Sequence, residues 1–224
     1  MKKASALFND EDKKAIAEAI TAAESTTSGE IVPVVATASG RYDRAEDIFG
    51  VLFALVLVSV YWLFFQLPPV AGWYVDAAPQ SPLWPVLVIM IAGFVSGAFL
   101  ATLFPVLRLP FITRGEMQEE VERSALETFQ RQRIRATDGA NGVLIYVSLY
   151  EHMVHVAGDD AVNQYITAEG WKEVVDIIVT GMKTRKPREG LADAIKRCGE
   201  MLKEHFPYQE GDKNELGDGL VLID

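Results

Sequence analysis

Cysteine is nearly missing from this chain of 224 residues: Cys198 stands alone. No intrachain disulfide can form, and nothing calls for an oxidising compartment. Also lacking are a phosphate-cradling glycine loop, a CxxC pair and a histidine pair at the four-residue spacing of a zinc-binding helix. The opening MKKASALFNDEDKK holds no apolar h-region, so no cleavable signal peptide is expected. Positive charge is scarce, with 21 Lys and Arg against 31 Asp and Glu and a formal charge of −10. A nucleic-acid binder normally shows a basic face; none is evident, and nucleic acid is not an expected partner.

Charge of either sign is absent from two long runs. One is Ile48–Leu67, IFGVLFALVLVSVYWLFFQL; the other is Leu83–Leu107, LWPVLVIMIAGFVSGAFLATLFPVL. At about 1.5 Å per residue, twenty helical residues cover the roughly 30 Å of a bilayer's hydrocarbon core. A buried soluble helix rarely stays uncharged on every face for so long. A transmembrane helical hairpin is therefore expected over residues 48–107. The hairpin lies inside the chain, so the polar parts before and after it must share one side of the membrane.

Arginines indicate which side. The loop Pro68–Pro82 has no Lys or Arg, whereas Arg41, Arg44, Arg108, Arg114 and Arg123 lie on the opposite flanks. The positive-inside rule then places the soluble part in the cytoplasm, at the inner or plasma membrane. Tyr61, Trp62, Trp73, Tyr74 and Trp84 gather at the far end, as an interfacial aromatic belt does. Gly93 and Gly97 form a small-xxx-small step, suited to packing the two helices together or to dimerisation.

Outside the hairpin the pattern is α/β. A helix is expected from Asp10 to Thr27, with Asn9 as its N-cap, and then a strand over Glu30–Thr37. Pro33 inside that strand favours an edge position or a bulge. A second helix is expected over Arg114–Arg135, opened by a Thr113–Glu116 capping box. The apolar run Val143–Leu149 reads as a central strand and Met153–Gly158 as its antiparallel partner. Helices from Thr167 and over Glu189–His205 follow, and Leu220–Ile223 adds a short strand. The two main strands are joined through a helix, so they should be parallel. The expected fold is a layered α/β sandwich, built from residues 1–40 and 108–224 and interrupted by the transmembrane hairpin. By the same geometry the strands' carboxyl ends should face the bilayer, with Lys2 and Lys3 near anionic headgroups.

Few residues carry chemistry. Glu151 and His152 fall in the expected hairpin turn, where a solvated turn or a metal or phosphate contact are the alternatives. Asp159 and Asp160 are adjacent carboxylates: helix caps, or oxygen ligands for Ca²⁺ or Mg²⁺. His155 reads as a surface or partly buried strand residue, and His205 as a cation complementing a helix end. Cys198, on an inward helix face, reads as packing. Asp138 reads as a turn residue. Glu210, Asp212, Glu215 and Asp218 read as a solvated acidic tail.

Several stretches resemble bacterial TPM-domain proteins, in the branch with a membrane hairpin after the first strand. They are TSGEIVPVVA (Thr27–Ala36), NGVLIYVSLYEHMVHVAGDD (Asn141–Asp160) and CGEMLKEHFPYQEGDKNEL (Cys198–Leu216). The resemblance implies an α/β sandwich. It also implies one of two functions: an assembly or modulator subunit acting on other membrane proteins, or an acid phosphatase, with calcium binding known in some members. The family's glycine-bearing GYGLEG-like stretch is replaced here by AGDDAVNQYI, which lacks those glycines.

Overall fold

A computed structural model describes residues 3–66, 82–137, 139–208 and 214–224. Lys2, Asp138, Glu210, Asp212 and most of the Pro68–Pro82 loop, with Trp73 and Tyr74, lie outside the described residues. The chain forms two compact units: Met1–Gly40 with Gly115–Asp224, and Arg41–Arg114.

The first unit opens with helices α1 (Ala4–Leu7) and α2 (Asp10–Glu24). Asn9 caps α2 through a reciprocal box: its Oδ1 accepts the Asp12 N–H at 2.8 Å, and the Asp12 carboxylate accepts the Asn9 N–H at 3.0 Å. Strand β1 (Ile31–Ala36) follows. After the second unit come α5 (Arg114–Arg131), β2 (Val143–Ser148), β3 (Met153–Gly158), α6 (Ala168–Lys183), α7 (Pro187–His205) and β4 (Val221–Ile223). The sheet order is β3-β2-β1-β4; β1 is parallel to β2 and β4, and β2 is antiparallel to β3. The parallel and antiparallel pairings agree with expectation.

Pro33 does not make β1 an edge strand. β1 lies inside the sheet, in unbroken register with β2, with Pro33 opposite Ile145. Strand β4 pairs only with Val34–Ala36, so at Pro33 the strand has one neighbour, and the missing N–H is tolerated there. The expected helix ends also shorten. α2 stops at Glu24, and α5 gives way to a 3₁₀ turn over Ile134–Ala136 after Arg133 takes the left-handed φ of 57°.

Every residue of β1 and β2 is buried. Alternate side chains serve two cores, as the two-residue period of a strand requires. Ile31, Val35, Val143, Ile145 and Val147 pack with α2, α6 and α7 through residues such as Ile16, Ile20, Ile178, Leu191 and Leu202. On the opposite face Val32, Val34, Leu144 and Tyr146 pack with Val121, Ala125, Phe129 and Ile134.

The second unit holds α3 (Asp43–Gln66) and α4 (Leu83–Leu103), packed against each other. Small residues allow the approach. A Cβ on Gly93 would meet the Ala54 Cα at 2.8 Å, and one on Gly97 would meet the Gly50 Cα at 2.9 Å. Thus Gly93 and Gly97 are used in joining the two helices. A polar clasp sits at their base: Arg108 Nη1 lies 2.6 Å from Glu46 Oε1, and Thr102 donates to Glu46 Oε2 at 2.9 Å. Both helices are long and apolar enough to cross a membrane, and Leu55, Leu63, Phe64, Ile91, Val95 and Phe99 are exposed.

Candidate functional site

The sequence candidates separate to the two ends of β3. Glu151 and His152 precede it, at the carboxyl end of β1 and β2, while Asp159 and Asp160 follow it. Six residues of strand, at about 3.3 Å each, put roughly 20 Å between the pairs. One site made from all four is excluded.

At the carboxyl end Glu151 is only 5% exposed. Its Oε1 accepts the backbone N–H groups of Ser39 and Gly40 at 3.0 and 3.2 Å. Its Oε2 accepts the Ser148 hydroxyl, which in turn accepts the Ser39 hydroxyl at 2.8 Å. The Tyr146 hydroxyl lies 3.2 Å from Ser39 Oγ, and Ser124 Oγ donates to the Ser39 carbonyl at 3.0 Å. Burial pushes the Tyr146 phenol above its ordinary range, against the pull of the Ser39 and Ser124 hydrogen bonds. Glu151 therefore ties the segment after β1 to the β2–β3 turn. It is not a solvated turn residue. His152 is exposed, with a left-handed φ of 54°. It lines an apolar cavity of about 200 Å³ with Val147, Leu149, Met153, Val179 and Met182.

At the other end, Asp159 is 3% exposed. Its Oδ1 accepts the Asp160 N–H at 2.7 Å, and its buried Oδ2 has no hydrogen-bond partner among the described residues. Asp160 turns outward to Arg135, at 2.6 Å. Among the described residues no three His, Cys, Asp or Glu side chains come together as a metal-binding group. Asp159 and Asp160 thus have no third such side chain beside them among the described residues.

One charged cluster escaped the sequence reading. Glu24, Glu30 and Asp218 line a cavity of about 190 Å³ between the end of α2, the start of β1 and the tail. Burial, reinforced by Glu30 and Asp218, pushes the Glu24 carboxyl up to about 8, although its Oε1 accepts the Ile31 N–H at 2.9 Å. Asp218 accepts the Thr21 hydroxyl at 2.7 Å, so it fastens the tail to α2 rather than lying free in solvent. The only sequence signal was the repeated acid, which surface acids also give.

The other candidates have structural places. Cys198 is fully buried, and burial pushes its thiol up to about 12, which denies it a nucleophile's role. His155 is partly buried, with its pKa lowered by that burial. His205 stacks on Tyr165 at 4.8 Å.

The model of the TPM domain family matches residues 110–201, from just before α5 into α7. No curated protein matches the sequence. Among solved structures, the NMR structure of the BA42 protein from the psychrophilic bacterium Bizionia argentinensis is similar. It shares 20% identity, covers 96% of this chain and 94% of its own, and gives a TM-score of 0.55. At that identity the likeness concerns the fold.

Proposed function

We propose that this chain is a membrane-anchored TPM-domain module that binds other membrane proteins at the cytoplasmic face and aids their assembly or modulates them. The observation that carries it is the position of the apolar pair α3–α4. It interrupts the α/β unit between β1 and α5, so the anchor belongs to the fold and is not a removable tail. The exposed apolar side chains of both helices fit lipid surroundings. Arginines on the flanks, and none in the connecting loop, favour the cytoplasmic side of the inner or plasma membrane. The test is co-purification of the full-length chain in mild detergent. Membrane proteins should be retained, and a variant lacking residues 115–224 should lose them. Equal retention by both would sink the reading.

A second reading is a metal-dependent phosphomonoester hydrolase, favoured by the buried Oδ2 of Asp159, which has no hydrogen-bond partner among the described residues. Against it stand Glu151, already committed to Ser39, Gly40 and Ser148, and Asp160, paired with Arg135. The full-length chain should give no phosphomonoester turnover with Mg²⁺ or Ca²⁺. Turnover that disappears in Asp159→Asn with folding intact would establish the hydrolase.

A further inference from the structure

Four of the chain's 21 Lys and Arg fall within six residues: Lys183, Arg185, Lys186 and Arg188, with no acid among them. In so acidic a chain this is a concentrated exception. The run forms the connection from α6 to α7, and all four residues are exposed. Its place in the fold is fixed by its neighbours. Val179, Met182 and Lys183 line one cavity with Val147, Leu149 and His152, so the connection lies at the carboxyl end of β2.

The loop is built rather than loose. Arg185 holds a left-handed φ of 61°. Its N–H donates to the Met182 carbonyl at 3.2 Å, and the Lys186 N–H donates to the Gly181 carbonyl at 2.8 Å. Local acids answer only part of its charge. Arg188 lies 3.6 Å from Asp12, and Lys186 lies 2.7 Å from Glu189. Lys183 and Arg185 have no ion-pair partner among the described residues. Beside them a polar cavity of about 770 Å³ is lined by Leu7, Asp12, Arg185, Lys186, Arg188 and Glu189. The apolar cavity of about 200 Å³ adjoins it, since Met182 lines both.

Six residues separate the last residue of β1, Ala36, from the first of α3, Asp43. The apolar helices are thus tethered to the carboxyl end of the parallel strands, where the basic loop also lies. An anionic bilayer surface complements such a cluster, because Lys and Arg near it are attracted to lipid phosphates. Arg adds a planar fork that matches phosphate oxygens. A duplex nucleic acid needs a longer basic face than one loop offers.

We propose that the Lys183–Arg188 loop is a binding site for anionic phospholipid headgroups, with Lys183 and Arg185 contacting phosphate and the apolar cavity beside them accepting hydrocarbon. This rests on α3–α4 being a membrane hairpin. The site holds the α/β unit against the leaflet and makes its attachment depend on lipid charge.

The test uses the full chain in nanodiscs of phosphatidylcholine alone and of phosphatidylcholine with phosphatidylglycerol, read by amide hydrogen exchange. Exchange over residues 182–188 should slow in the anionic discs by roughly five-fold for each contacting cation, or about 25-fold for Lys183 and Arg185 together. High salt should reduce the effect. The double variant Lys183→Gln, Arg185→Gln should lose it while α2 and β2 keep their protection, which controls for folding. Equal exchange in the two discs, or protection that survives the double variant, overturns the proposal. Free glycerol phosphate should not reproduce the slowing in neutral discs; if it does, the site takes soluble phosphate and the lipid assignment falls. Failure of the chain to enter neutral discs counts separately, against the hairpin itself.

Discussion

Gly181 and Gly190 bring the backbones of α6 and α7 into contact. A Cβ on Gly181 would lie 2.5 Å from the Gly190 Cα, and one on Gly190 would lie 2.7 Å from the Gly181 Cα. The obstacle is backbone, which no side-chain rotation can clear. The contact stands two residues before Lys183 and so sets where the basic loop emerges.

Gly181→Ala should therefore destabilise the α/β unit by about 1–3 kcal/mol, the usual cost of overpacking, in spite of alanine's better helix propensity. Gly190→Ala should cost a similar amount. Gly115→Ala is the control, because nothing lies within 4 Å of its added Cβ. Denaturant midpoints compare the three. A neutral Gly181→Ala would mean that the helices are further apart than described.

Removing the Glu151 carboxylate should be more damaging than removing a turn residue. Glu151→Ala leaves two backbone N–H groups and the Ser148 hydroxyl without their acceptor, and should cost about 2–4 kcal/mol. Glu151→Gln keeps one acceptor oxygen and should cost less. Thermal unfolding of both variants decides; equal, small losses would return Glu151 to the solvated turn.

Glu24 should make stability depend on pH. Its carboxyl rises from the ordinary 4.5 to about 8 in the folded chain, through burial first and the nearby acids second. The folded state then holds a proton that the unfolded state has released. The resulting stabilisation is fully present below about 4.5 and is lost as pH rises to about 8. Glu24→Gln should flatten the fall between those values, measured as the denaturant midpoint against pH. An unchanged slope in the variant contradicts the assignment.

Within the apolar pair, Gly97→Val should separate α3 from α4. Its Cβ would meet the Phe53 Cβ at 2.8 Å and the Gly50 Cα at 2.9 Å. Resistance of the helix pair to unfolding in sodium dodecyl sulfate, followed by its helix content, should be lower in Gly97→Val than in the parent chain. Undiminished resistance would show that the helices do not rely on this approach.

Much of the fold was readable because each signal was local. The unbroken apolar run of β2, the alternating cores and the Asn9 cap all follow from neighbours in sequence. What was missed depends on distant partners. Glu151 looks like any acid in a turn until Ser39 and Gly40, more than a hundred residues earlier, bring their N–H groups to it. Pro33 signalled an edge, yet a short β4 leaves room for it inside the sheet. The acid trio at Glu24 joins helix, strand and tail, and no spacing rule links those positions. Lys183–Arg188 was visible in the sequence but hidden by the net charge, since a total of −10 conceals a local patch of the opposite sign.

The central claim is a module anchored through its own fold with its α/β unit in the cytoplasm. Its most direct test is protease cleavage of a tag placed after Asp224, in sealed membrane vesicles of both orientations washed at alkaline pH. The tag should stay with the membranes through the wash and be cleaved only in inside-out vesicles. Release by the wash, or cleavage in right-side-out vesicles, would contradict the account.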